Sequence, residues 1–260
     1  MDGIKQPPVE ITPEKRAEIQ ARIDGIPKKW RAILADQKRK EIADNSLWSG
    51  NQPLAFSFAD WQPAKQPDEG LGRKVGNQAF LLAKKMEATP VNVNLFGTRG
   101  SGKTSLALAI VDKVAKETGQ SWLFVNTTEL ASLIGQQYEY PELKGKLDRL
   151  YKAITGIKSG DGSWYRKPVD ILVLDDFGTE GGQKSDNLKV RRDMQEWLYR
   201  ASNARIDIQN NRPTGSTIIT TNNISSELLA MYDSKLISRI VTKQPENVIN
   251  FTKLKDVRNG

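Results

Sequence analysis

Two short stretches carry residue types suited to phosphate chemistry, and a third strand stands beside them in the sequence. Residues 97–105 read Gly-Thr-Arg-Gly-Ser-Gly-Lys-Thr-Ser, which fits the phosphate-loop spacing G-x-x-x-x-G-K-[ST]. Gly97, Gly100 and Gly102 let the backbone turn tightly and bring N–H groups against phosphate oxygens, with Thr98, Arg99, Ser101 and Ser105 completing the loop. The helix expected next adds unpaired N–H donors and a partial positive charge. Lys103 can reach the β and γ phosphates as a point charge, and the Thr104 hydroxyl can ligate Mg²⁺. The second stretch, Val-Asp-Ile-Leu-Val-Leu-Asp-Asp over 169–176, is an apolar strand ending in two carboxylates. Such a strand is buried on both faces, and its C-terminal end points at the phosphates. Asp175 is expected to hold Mg²⁺, mainly through water, and Asp176 to orient the attacking water. The third, Thr-Ile-Ile-Thr-Thr-Asn over 217–222, is a strand ending in a polar amide. The first two stretches point to ATP with Mg²⁺.

Composition narrows the chemistry. The 260 residues contain no cysteine and no histidine, which excludes disulfides, thiolate or imidazole zinc sites, and catalysis by either residue. Any metal must be a hard ion on oxygen ligands. Hydrophobic content is 38%, charged content 27% and net charge +8; the basic surplus favours a polyanionic partner. No apolar run reaches the length of a membrane span, and the N-terminus has no signal-peptide pattern, so a cytoplasmic protein is expected.

The elements that must position these residues can be read in order. Thr12-Pro13 starts a helix, and Ile19, Ile23, Ile26, Trp30 and Ile33 share one helical face. Gly25 and Pro27 split this segment into helices over 13–24 and 28–44. It carries few apolar residues, too few for a firm core alone; it is either a docking module for another protein or a solvated helical pair whose stripe packs on itself or on the main domain. Residues 1–48 are therefore read as an N-terminal helical module, 49–76 as a turn-rich linker and lead-in, and 77–260 as the catalytic domain. Phe56, Phe58 and Trp61 either anchor the linker or wall an adenine pocket. Helices are expected over 77–88, 104–118 (ending at Gly119), from Thr128 as cap, around 143–154, over 189–204, 226–232 and 233–241. Strands are expected over 91–96, 121–126, 169–174, 217–222 and 247–252, with Gly-rich loops over 158–167 and 177–187 and a turn at 212–215. The fold class is α/β, with a mainly parallel sheet.

The pattern resembles the DnaC/DnaI helicase-loader family of AAA+ ATPases, over about 56–252. The resemblance rests on the 97–105 loop, on Ile-Leu-Val-Leu-Asp-Asp-Phe-Gly over 171–178, on Arg-Pro-Thr-Gly-Ser-Thr-Ile-Ile-Thr-Thr-Asn-Asn over 212–223, and on Leu-Ile-Ser-Arg-Ile over 236–240. It implies that Asn222 is a sensor amide near the γ-phosphate and that Arg239 is an arginine finger acting in a neighbouring subunit, where a fixed charge and a rigid fork stabilise the transferring phosphoryl group. It implies a hexameric, DnaB-type replicative helicase and single-stranded DNA as partners, self-association, and replication initiation in a bacterium or bacteriophage. Alternatives are an IstB-like transposition helper ATPase and a non-hydrolysing DNA-binding adaptor.

Departures from the family are the absence of N-terminal cysteines, Ser105 where His is frequent, no room after Arg239 for a C-terminal lid, and Asp176 where many relatives have Glu, from which slow hydrolysis is expected. Lys144, Lys146, Arg149 and Lys152, with Tyr138, Tyr140, Trp164 and Tyr165, either contact DNA by charge and stacking or form a solvated basic face.

Overall fold

A computed structural model of the chain describes residues 12–24, 28–180 and 189–257. Five parallel strands form the central sheet: β1 (Asn92–Phe96), β2 (Trp122–Asn126), β3 (Ile171–Asp175), β4 (Ser216–Thr221) and β5 (Val248–Asn250), in the spatial order β2-β3-β4-β1-β5. The fold is the expected mixed α/β one. Parallel strands need crossovers, so helices cover both faces.

Each strand alternates its side chains between two cores. Val93, Leu95, Phe124, Ile171, Val173, Ile218 and Ile249 face one layer, which holds α3 (Glu69–Ala88) and α4 (Lys103–Thr118). Leu123, Val125, Leu172, Leu174 and Ile219 face the other. That layer contains α5 (Thr127–Gln136), α6 (Glu142–Thr155), α7 (Arg192–Asn203), α8 (Ser225–Met231) and α9 (Ser234–Ile240). Asn92 and Asn94 interrupt the apolar run of β1 for a reason. Asn94 exchanges side-chain hydrogen bonds with the Thr242 backbone, and Asn92 donates to the Arg239 carbonyl, which fastens the chain beyond α9 to the sheet.

Register aligns the strand ends. Asn126 pairs with Asp175, Leu174 with Ile219, and Phe96 with Thr221. The loops after β1, β3 and β4 therefore emerge side by side at one end of the sheet. The opposite end is tied by Arg205, only 4% exposed, whose guanidinium donates to the carbonyls of Val169, Asp170 and Ser216. Burial lowers its pKa to about 10, against the opposing pull of Asp170.

Several boundaries differ from the sequence expectation. α3 begins at Glu69 rather than 77, with Asp68 capping the Leu71 N–H at 2.9 Å. Its glycines are not turn formers: a Cβ on Gly76 would lie 2.7 Å from the Trp61 ring, so the residue permits a close approach. The cap of α5 is Asn126, which accepts from the N–H groups of Thr128 and Glu129, not Thr128. The stretch 158–167 forms an antiparallel hairpin, Ile157–Lys158 with Trp164–Arg166, and a second hairpin joins Ile206–Asp207 to Arg212–Pro213. Most of the loop expected over 177–187 lies outside the described residues.

At the N-terminus, α1 (Pro13–Asp24) and α2 (Lys28–Ala43) match the expected helix pair. The division at 48 and 49 cuts through a packed segment, however. Ile42 and Leu47 are buried in one core, and Trp48 stacks on Phe124 at 4.2 Å. Leu47 bridges Val125, giving its N–H to Phe124 O and accepting from Asn126 N–H. Residues 42–48 thus close the edge of the sheet. No helix among the described residues is long and apolar enough to cross a membrane.

Candidate nucleotide site

The loop between β1 and α4 has three glycines with positive φ, Gly97 at 137°, Gly100 at 72° and Gly102 at 95°. Its curl places the amino end of α4 over the carboxyl ends of β1, β3 and β4. Ser101 is fully buried and closes the loop on itself, its hydroxyl donating to Thr98 O at 2.6 Å. Arg99 and Thr98 are exposed, and Ser105 is half-buried in the first turn of α4.

Lys103 is 6% exposed, and its ammonium lies inside the loop. It donates to the carbonyls of Gly97 and Thr98 at 3.0 and 2.7 Å and to Asn222 Oδ1 at 2.8 Å. The Thr104 hydroxyl donates to Asp175 Oδ1 at 2.8 Å, and the Thr220 hydroxyl to the same oxygen at 2.7 Å. Lys103, Thr104, Asp175 and Asn222, drawn from three separate stretches, therefore meet in one place.

Burial raises the Asp175 pKa first and the neighbouring Asp176 charge raises it further, while hydrogen bonds from Thr220, Thr104 and Asn126 pull it back. A buried carboxylate beside a second carboxylate and a hydroxyl is a setting that a hard cation relieves. Among the described residues no group of three or more acidic side chains is placed so that it could hold a metal ion by itself. A Mg²⁺ ion would accordingly rest on Thr104 and Asp175, with phosphate and water supplying its other ligands. Asp176 follows at φ 55°, a left-handed backbone that Asp tolerates better than most residues. Its N–H is held by Thr220 Oγ1 at 3.0 Å and its carbonyl by the Thr127 hydroxyl at 3.1 Å.

The sequence model of the ATPase family associated with various cellular activities (AAA) matches residues 93–245. The chain belongs to the AAA family of ATPases. Membership brings nucleotide binding and ATPase chemistry in general. No curated protein matches the sequence. Among solved structures, the DnaC helicase loader is 19% identical, covering 69% of this chain and 89% of its own at a TM-score of 0.47. DnaI is 21% identical, covering 76% and 88% at 0.45. DnaA from Aquifex aeolicus with AMPPCP is 15% identical, covering 75% and 50% at 0.48.

Arg239 stands apart from the phosphate loop of this AAA ATPase. Its backbone carbonyl is bound by Asn92 at the start of β1, four residues and about 13 Å of strand before Phe96. The guanidinium lies 4.7 Å from the Tyr199 ring centre, donates to Lys235 O at 3.0 Å, and lines a cavity of about 440 Å³ with Asn92, Trp197 and Arg205. Within one chain it does not reach the loop.

Some residues at the site carried no sequence signal. Glu180 is half-buried overall, but its carboxylate is enclosed by the hydroxyls of Tyr232 and Thr127 and the Gly178 N–H. Burial raises its pKa, and burial with the Glu180 charge raises that of Tyr232. Asn126 could have been found as a polar residue ending a strand, as Asp175 and Asn222 were. Of the two readings of the aromatic patch, the anchoring one matches the packing. Trp61 donates its Nε1–H to Gly72 O at 3.0 Å and presses on the loop at Gly102, while Phe58 meets Phe80 edge-on. Among the basic side chains, Lys152 pairs with Asp148 at 2.6 Å, and Tyr138, Tyr140 and Tyr165 are exposed.

Proposed function

We propose that this AAA ATPase is a helicase loader, which uses ATP to help place a hexameric replicative helicase on single-stranded DNA. The observation that carries the reading is the split in its machinery. Lys103, Thr104, Asp175 and Asn222 converge at one end of the sheet, and Arg239 lies at the other. A site that lacks its own arginine is completed by a neighbouring copy.

In this reading the loop amides and Lys103 bind the phosphates, and Lys103 exchanges its carbonyl partners for phosphate oxygens. Mg²⁺, when bound, would supply charge neutralisation for the phosphates. Thr104 and Asp175 would hold and orient that ion, Asp175 mainly through water. Asn222 leaves Lys103 to meet the terminal phosphate, which makes the amide sensitive to hydrolysis. Asp176 orients the attacking water. It is one methylene shorter than Glu and rises from a left-handed backbone, so turnover is slow and suits a switch. Arg239 of the adjoining copy stabilises charge on the transferring group. Trp30 and Leu34 on α2, 56% and 51% exposed, give the helix pair an apolar surface for the helicase.

The test combines ATP turnover on single-stranded DNA with co-purification of the hexameric helicase. Lys103→Ala and Arg239→Ala should each abolish turnover, Arg239→Ala without loss of ATP binding. Trp30→Glu with Leu34→Glu should abolish the helicase complex while leaving turnover intact. A wild-type chain that captures no helicase, or an Arg239→Ala variant with undiminished turnover, refutes the reading.

A further inference from the structure

The turn that carries Asp176 contains two residues with left-handed backbone, Asp176 at φ 55° and Gly178 at φ 94°. Such a turn persists only where its surroundings over-determine it. Its first half is held from β4. The Thr220 hydroxyl accepts from Asp176 N–H at 3.0 Å, the Thr220 carbonyl accepts from Phe177 N–H at 2.8 Å, and the Thr221 hydroxyl donates to Phe177 O at 2.6 Å. Its second half is held by Glu180, whose side chain folds back along the turn. Glu180 Oε2 accepts from the Gly178 N–H at 2.9 Å and from the Thr127 hydroxyl at 2.9 Å, and Oε1 accepts from the Tyr232 hydroxyl. Both outside partners are fixed. Thr127 is fully buried in the first turn of α5, and Tyr232, 4% exposed, caps the end of α8 with its ring stacked on Phe177 at 4.6 Å. The Thr127 hydroxyl also lies 3.1 Å from Asp176 O, so one buried hydroxyl meets the turn at both ends.

With three donors on its two oxygens, the Glu180 carboxylate is engaged inside the fold and is not offered to a phosphate. We propose that Glu180 is a positioning residue for ATP hydrolysis: it fastens the 176–178 turn to Thr127 and Tyr232 and so fixes the direction of the Asp176 carboxylate. This role rests on the reading in which Asp176 orients the attacking water. The phosphate loop over 97–105 is a separate stretch of chain, and Asp175 has its own bonds from Thr104 and Thr220. Loss of Glu180 should therefore slow the chemical step and spare nucleotide binding. Misplacing a reacting group by about 1 Å costs up to roughly 100-fold in rate.

The experiment measures kcat by phosphate release and ATP Kd by calorimetry on the full chain, with Tm for each variant. Glu180→Ala should lower kcat about 10- to 100-fold and leave Kd within about twofold of wild type. Tyr232→Phe deletes one oxygen and keeps the ring on Phe177. It should lower kcat by up to about tenfold, the value of one hydrogen bond. In the Glu180→Ala background it should add no further loss, because its partner is already gone. Thr127→Val should slow turnover as Glu180→Ala does, and Thr127→Ser, which restores the hydroxyl, should recover it. Asp176→Asn tests the reading underneath and should lower kcat at unchanged Kd. An undiminished kcat in Glu180→Ala beside an impaired Asp176→Asn overturns the proposal and leaves the Asp176 reading standing. So does a Glu180→Ala protein that loses ATP affinity as much as rate, or a Tyr232→Phe loss that is equal in both backgrounds. Tyr232→Phe decides the matter if Glu180→Ala does not fold, an unchanged kcat then overturning the proposal. If Asp176→Asn turns over at the wild-type rate, or wild type does not turn over, the Asp176 reading falls and this proposal falls with it.

Discussion

Gly97→Ala isolates the joint between the phosphate loop and the end of β5. Gly97 has φ 137°, a conformation that L-residues avoid at a cost of about 1–3 kcal/mol. A Cβ there would also lie 2.5 Å from Thr252 N, 2.6 Å from Phe251 C and 2.9 Å from Phe251 Cα. All three atoms are backbone, so no rotamer change relieves the contact. The chain after β5 must shift, against the Phe251 N–H bond to Phe96 O and the Thr98 bond to Thr252 O. Overpacking of this kind costs about 1–3 kcal/mol. The sum is about 2–6 kcal/mol, or roughly 4–24 °C in Tm for a domain of this size. Differential scanning calorimetry of the ligand-free protein reads it directly. Gly160→Ala is the matched control, because a Cβ there meets nothing within 4 Å. A Gly97→Ala protein melting within about 1 °C of wild type would refute the argument, since both strain and crowding would then have been absorbed at no cost.

Lys103→Ala should weaken ATP binding about 10- to 100-fold, the value of one charge-assisted phosphate contact, measured by calorimetric titration. Glu180 has a pKa raised by burial, so its contribution to stability is complete below the ordinary carboxylate value of 4.5 and is lost as pH rises through the raised one. Glu180→Gln should accordingly flatten the fall of Tm with pH above 4.5, and an unchanged pH profile would contradict the assignment. Arg205→Met should cost about 3–5 kcal/mol in urea unfolding, because the carbonyls of Val169, Asp170 and Ser216 lose a shared buried donor. Trp48→Ala should cost about 3–5 kcal/mol through loss of the stack on Phe124.

What was legible in the sequence follows from how local each signal is. The loop over 97–105, the strand ending at Asp175 and the strand ending at Asn222 announce themselves, because backbone geometry and buried strands demand particular residues at fixed spacing. Register then brings Lys103, Thr104, Asp175 and Asn222 together without further instruction. Glu180 is invisible in this sense. It acts on segments remote in sequence, at Thr127 and Tyr232, and it sits in irregular chain with no periodicity. Gly72 and Gly76 misled in the opposite direction. Glycine is read as a turn former, but here it lies inside a helix to admit Pro63 and Trp61 at close range. The hairpin over 157–166 was hidden because its Gly-rich centre is the turn and its arms are only two and three residues long.

The bridge at Leu47 gives the helix pair a mechanical connection to the catalytic end. β2 is the outermost strand on its side, and its exposed main chain is an invitation to a foreign strand. Leu47 takes up the Phe124 carbonyl and the Asn126 N–H, and Ser46 takes up the Phe124 N–H. The edge is thus capped by the two residues Ser46 and Leu47. Tension drawn through α2 arrives at the sheet at that patch, across only the short turn over 44–46. Asn126 is gripped there by its main chain while its side chain bonds to Asp175. A pull on the helices is therefore a lever whose short arm ends at the buried carboxylate.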